Sequence, residues 1–239
     1  MKNRILSLAV VLASAALVGC GPFSFSQISG SGHVVTTNMA FSGFQSVEAG
    51  SAFAVHIKSG DRFSVAIKTD DNLLDTISVT QDGSWLRLGV KSGNNISPTS
   101  LQAEIVMPKL EGLSASGAAK IDFPPFKMDK FTAEASGASH INGTIDAKSA
   151  HVECSGASAV ELLGNATDVD LSGSGASHLR CKGLTASQGT VDLSGASKAE
   201  VQATKHLDYS LSGASHLAYS GQPSIGRSES SGASSAHAE

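Results

Sequence analysis

Three imidazoles stand on a common spacing. His140, His178 and His216 each lie four residues after the Ser of a Ser-Gly-Ala tripeptide, and the equivalent positions of other copies hold Lys120, Ala159 and Lys198. Imidazole nitrogens ligate zinc, so a metal ladder is the first chemistry to test. If the copies stack as coils about 4.8 Å apart, alternate coils hold their His side chains about 10 Å apart. That is too far to share one zinc through bonds near ~2.1 Å. The row therefore reads as a solvated basic stripe that gains charge below pH ~6.5, and no metal site is assigned.

A second spacing carries carboxylates. Glu134, Glu153, Asp170 and Asp192 fall shortly before successive tripeptides on outward phases of their segments. Like charges at strand spacing repel, so the row either stays hydrated or recruits a cation such as calcium, which takes oxygen ligands. β-Helical polysaccharide lyases and hydrolases also place carboxylates on such a face. That chemistry needs two or three of them close together with an Arg or Lys among them, and the nearest cation, Arg180, belongs to the other strand of its coil. No Gly-x-Ser-x-Gly elbow, phosphate loop or paired-Cys motif occurs. No catalytic residue and no cofactor is assigned. Trp85, the one Trp beside two Tyr and nine Phe, sits on the polar phase of Ser84-Trp85-Leu86-Arg87-Leu88. There it either contacts a ligand or packs beneath a neighbouring loop.

The elements that position these side chains follow from the tripeptide itself. Ser-Gly-Ala starts at Ser116, Ser136, Ser155, Ser174, Ser194, Ser212 and Ser231, in steps of 20, 19, 19, 20, 18 and 19 residues. A fixed period of this size marks a unit that buries its apolar face only by stacking on copies of itself. After each tripeptide an inward phase recurs, as in Ile121 and Phe123, Ile141, Val160 and Leu162, or Leu179 and Cys181. A second strand precedes it, as in Val152-Glu153-Cys154 and Val191-Asp192-Leu193. Gly117, Gly137, Gly156, Gly175, Gly195 and Gly213 mark the corner between the two strands, where a β-carbon would be penalised. The expected fold is all-β: a parallel β-helix with coils of about 19 residues. Residues 33–109 alternate on a period of two between turn signals, which predicts a β-rich N-terminal half. The repeats begin near residue 113, and 221–239 form a degenerate repeat or a loose tail.

Lys2 and Arg4 precede an apolar stretch that ends in Leu17-Val18-Gly19-Cys20, the layout of a secretory signal over residues 1–19. The motif resembles the bacterial lipobox, which implies lipidation at Cys20, a membrane partner through that anchor, and an envelope location. Gly21 in place of Asp favours the outer membrane in that pattern. Residues 20–32 read as the lipidated Cys and a flexible tether. Without Lys2 and Arg4, 15 basic residues face 21 acidic ones, a surface without a footprint for nucleic acid. Cys154 and Cys181 fall on inward phases of adjacent coils, either as two buried thiols or as a staple.

The Gly30-Ser31-Gly32 opening, Phe44-x-x-Val47, Asp71-Asn72-Leu73-Leu74-Asp75, Leu86-x-Leu88, Met107-Pro108-x-Leu110-x-x-Leu113 and the Ser-Gly-Ala-Ser corners together resemble the auto-transporter adhesin head GIN domain family of bacterial envelope proteins. The resemblance covers about residues 30 to 220. It implies a right-handed parallel β-helix in a single domain over 33–220, with no established active site. The expected role is non-enzymatic: a lipid-anchored module that presents a rigid face to a glycan or another envelope protein, or serves structurally. A polysaccharide-active enzyme and a cation-stabilised module are the alternatives.

Overall fold

Alternation on a period of two, interrupted once per coil by a glycine in the left-handed region, builds this chain. The computed structural model describes residues 27–239; the signal segment, Cys20 and most of the tether lie outside the described residues. The repeat half consists of five long bent strands, β11 (Lys120–Ala135), β12 (His140–Cys154), β13 (Ala159–Gly173), β14 (His178–Leu193) and β15 (Lys198–Leu211). Each pairs in parallel with the next. A strand leaves one corner along an exit face, bends, and returns along an entry face to the next corner. Inward positions such as Ile141, Ile145, Val152, Val160, Leu171, Leu179 and Val191 stack into one continuous core.

The unequal steps of the repeat have a structural address. The register shifts fall between Phe123 and Phe126, Glu161 and Gly164, Cys181 and Thr185, Ala186 and Gln188, and Leu207 and Tyr209, all away from the glycine corners. Insertions are therefore absorbed on the far side of the coil, and the corners stay in register.

The N-terminal half departs from simple repetition. Strands β3 (Ser46–Ala49) and β4 (Ala54–Ser59) form a coil around the corner Gly50-Ser51-Ala52. β3 lies between β7 (Trp85–Val90) and β10 (Gly112–Ala115), and β4 lies between β9 (Leu101–Met107) and β11, all in parallel. Spatial order and sequence order differ here, because the chain runs from β4 to the end of the rod and back before entering the repeats. At that end the pairing turns antiparallel: β2 (Val34–Met39) on β5 (Ser64–Asp70), β5 on β9, and β6 (Ile77–Asp82) on β7. A six-residue 3-10 turn, Asp71–Thr76, is the one helical element described. No described helix is long and apolar enough to cross a membrane.

Order begins earlier than residue 33, because β1 (Gln27–Ser29) pairs with β8 (Asn95–Ser97). At the other end, β16 (His216–Gly221), β17 (Ser224–Ser230) and β18 (Ser235–Ala238) continue the two faces through a last corner at Gly232. In that coil Ser228, Ser230 and Ala236 stand in register with Tyr209, Leu211 and Leu217. Small and polar residues replace large apolar ones there.

Candidate functional site

The entry face carries the acidic row. Register aligns Arg87, Glu48, Ser114, Glu134, Glu153, Ser172, Asp192, Ser210 and Glu229 on successive strands. Glu134, Glu153 and Asp192 share this row as the sequence suggests, but Asp170 does not. It lies four residues before Ser174 rather than two, because Ser172-Gly173 prolong the strand up to the corner. Asp170 therefore belongs to the neighbouring row, with Trp85, Ser46, Gly112, Thr132, His151, Thr190 and Asp208. There it sits 3.0 Å from Nδ1 of His151.

Cations pair with Glu48 and Asp192 of this row, whereas Glu134, Glu153 and Glu229 have none among the described residues. Arg87 lies 3.4 Å from Glu48 and 3.5 Å from Asp82, and Arg227 lies 3.3 Å from Asp192. Glu134 and Glu153 stand side by side in register without a cation partner among the described residues. A groove of about 180 Å³ lined by Ser114, Glu134, Ser136, Glu153 and Ser155 runs along the corner. A second groove of about 320 Å³ continues it past Ser172, Asp192, Ser194 and Ser210. The site is thus a shallow track of hydroxyls and carboxylates. Sequence reasoning missed Glu48, although Val47-Glu48-Ala49-Gly50-Ser51-Ala52 repeats the layout of Val152-Glu153-Cys154-Ser155-Gly156-Ala157.

Trp85 is half-buried at the N-terminal end of this face. Its ring extends across the small Ser46 to Gly112, where an added β-carbon would stand 3.2 Å from the indole Cη2. Gly112 therefore gives the indole a bed in the sheet, and the exposed part of the ring remains free to stack.

The corners form a ladder of their own. Gly117, Gly137, Gly156, Gly175, Gly195, Gly213 and Gly232 have φ between 68° and 76°, and Ser51, at 59°, is the one non-glycine with positive φ among the described residues. Each corner carbonyl accepts the N–H of the Ala one coil on, at 2.6 Å from Ala118 to Ser51 and 2.7 Å at every later rung. In five of the corners the last Ser is fully buried: Ser139, Ser158, Ser177, Ser197 and Ser215. The hydroxyls of Ser139 and Ser158 donate to carbonyls of the coil below, Ala115 at 2.9 Å and Ala135 at 3.0 Å.

On the exit face Lys120, His140, Ala159, His178, Lys198 and His216 do align, strand upon strand. No group of three or more His, Cys, Asp or Glu among the described residues is arranged to hold a metal ion. Cys154 and Cys181 are free and buried, and burial pushes both thiols up to about 12. They pack as small apolar residues, since the thiolate is the reactive form.

The remaining sequence signature, Gly-Ser-Gly with Asp-Asn, closes the N-terminal end. The carboxylate of Asp70, fully buried, accepts N–H bonds from Gly32 and Thr99, both at 2.8 Å. Burial alone would raise its pKa, and these donors outweigh burial and hold it below the ordinary value. Asp71 accepts the Ser31 hydroxyl at 2.6 Å, while Asn72 accepts the Ser31 N–H and donates to the Ser29 carbonyl.

A rod of glycine-cornered coils with polar ladders outside and an apolar interior defines the class: a β-solenoid. The sequence profile described as "Putative auto-transporter adhesin, head GIN domain" matches residues 43–223, and the chain belongs to that family. The fold is similar to the crystal structure of a "putative adhesin" from Bacteroides fragilis, with 19% identity and a TM-score of 0.84 over 89% of this chain and 100% of that one. It is similar also to a structure described as a "putative lipid binding protein" from Parabacteroides distasonis, with 17% identity and a TM-score of 0.73 over 89% and 99%. A third, a "putative adhesin" from Parabacteroides merdae, has 15% identity and a TM-score of 0.69 over 89% and 99%. No curated protein sequence matches the chain.

Proposed function

We propose that this chain is a lipid-anchored protein of the bacterial envelope that binds a surface glycan along the entry face and catalyses no reaction. The observation that carries the reading is the serine and carboxylate track centred on the unpaired Glu134 and Glu153, with the half-exposed Trp85 on the same face. Sugar hydroxyls donate to carboxylates and accept from Ser hydroxyls, and an indole offers an apolar surface for a pyranose face. Glycoside hydrolysis needs two carboxyl groups whose environments differ enough to set acid against base. Glu134 and Glu153 are both exposed on one flat row, so that division of labour lacks a structural basis. Adhesin-like relatives agree with a binding role. Although one neighbour is described as lipid binding, here Phe131, Ile141, Leu171 and Leu179 fill the interior of the described coils.

Glycan-array binding by the full chain tests the recognition reading. We expect saturable binding that falls about tenfold or more in Trp85→Ala and in Glu134→Gln/Glu153→Gln, a loss of about 1.4 kcal/mol. Turnover of any glycan would instead establish an enzyme. Silence across the array would refute the glycan reading. Anchoring at Cys20 is tested separately: Cys20→Ala should move the protein from the membrane fraction to the soluble one and abolish metabolic labelling with a palmitate analogue. Retention of both would refute the anchor.

A further inference from the structure

The eight histidines of the chain divide into two sets. Five stand against a carboxylate: His33 with Asp71, His56 with Asp122, His151 with Asp170, His206 with Asp208 and His237 with Glu239. The other three, His140, His178 and His216, have no carboxylate partner among the described residues, and they are the three that stack on one row of the exit face. Lys120 and Lys198 of the same row are likewise unpaired, whereas Lys58, Lys127, Lys148 and Lys182 each hold an acid. The row is thus a line of five basic side chains, in register and without an acid partner among the described residues. Its members span five strand spacings, about 24 Å along the rod.

The groups facing this line do not cancel it. Two residues further along each strand run Asp122, Asn142, Glu161, Arg180, Glu200, Ala218 and His237. Asp122 is engaged by His56 at 3.7 Å and His237 by Glu239 at 3.9 Å. Arg180 stands in register between Glu161 and Glu200. On the other side the Ser-Gly-Ala corners carry no titratable group, and Ser235 Oγ lies 2.8 Å from His216 Nδ1, which leaves Nε2 to a ligand.

We propose that this row binds a linear carboxylated polysaccharide laid along the rod axis, and that acidification tightens the complex. The cations recur every one or two strand spacings, about 5 to 10 Å, which suits a chain with one acid per sugar or per two sugars. A nucleic acid duplex, with a phosphate charge every ~1.7 Å, would overload the row and meet Glu161 and Glu200 beside it. Each contact is weak, but contacts repeated along one chain act multivalently. Imidazole is the side chain that takes up a proton in mildly acidic solution while uronate groups stay ionised, so a line of three imidazoles and two lysines favours a polyanion more as the solution is acidified. This site does not depend on the entry-face track.

Titration of the full chain with polygalacturonate at about pH 5.5 and about pH 8 tests the proposal. Binding should weaken at least about tenfold at the higher pH, weaken with added salt, and be absent with neutral dextran. His140→Gln/His178→Gln/His216→Gln should abolish the pH dependence, and Lys120→Gln/Lys198→Gln should weaken binding at both pH values while preserving it. All five positions are outward, and an unchanged melting temperature checks each variant. Absence of binding at about pH 5.5, undiminished binding by a folded triple variant, or preference for polyphosphate over polygalacturonate would each overturn the proposal.

Discussion

Gly156→Ala should strongly destabilise the protein, as a methyl addition in the middle of the rod that meets backbone rather than side chain. Gly156 has φ 69°, and a β-carbon there would stand 2.7 Å from the Gly137 carbonyl oxygen. Left-handed backbone costs a non-glycine residue about 1–2 kcal/mol. The clash adds to it, because the opposing atom is backbone and that same oxygen accepts the Ala157 N–H at 2.7 Å. Moving it away breaks a rung, and the rungs above and below share the ladder. The expected loss is about 3–4 kcal/mol, or roughly 10 °C in melting temperature.

Two comparison variants separate the contributions. Gly83→Ala has positive φ but nothing within 4 Å of the added carbon, so it should cost the backbone strain alone, about 1 kcal/mol. Gly232→Ala meets the Gly213 oxygen at 2.6 Å, yet it lies in the last coil, whose residues are largely exposed. In a solenoid with nearest-neighbour coupling the end unit opens without the rest, so the global melting temperature should barely move while hydrogen exchange rises in residues 224–238. Equal losses in Gly156→Ala and Gly83→Ala would show that the corner oxygens yield, and that the ladder does not fix the coil.

The same ladder explains which parts of the architecture were legible. Ser-Gly-Ala-Ser is a local device whose every copy meets an identical neighbour, so its spacing exposes the coil directly. The first corner escaped detection because Gly50-Ser51-Ala52 lacks the glycine at its central position and is separated from Gly117 by strands that travel to the rod's end and back. That excursion is set by antiparallel pairing between distant segments, such as Val34–Met39 with Ser64–Asp70, and no period announces it. Asp170 falls outside the expected row for a related reason. Alternation gives the face of a strand, but the row depends on distance to the corner, and Ser172-Gly173 move that distance by two. The half-burial of Trp85 rests on Gly112, twenty-seven residues away in sequence but two strands away in the sheet.

Asp70→Asn should be the most damaging polar substitution at the N-terminal end, and its effect should depend on pH. The ionised carboxylate accepts N–H donors from Gly32 and Thr99 on separate oxygens, and Gly30 leaves room for it, since a β-carbon there would lie 2.5 Å from Cγ. An amide of the same shape offers one accepting oxygen and presents N–H₂ to a second donor, so one loop detaches and a buried donor is left unpaired. Because the folded pKa is lower than the ordinary value, ionised Asp70 contributes stability that is fully present above the unfolded pKa of about 3.9 and is lost as pH falls through the lower folded value. A protonated Asp70 carboxyl and the amide of the Asp70→Asn variant are nearly equivalent in hydrogen bonding. The melting temperatures of the two proteins should therefore differ most near neutral pH and converge as pH falls through the lowered pKa of the folded state. A constant gap at every pH would mean that shape rather than charge holds residues 30–32 and 99–100, and the Gly-Ser-Gly opening would then owe its place to packing alone.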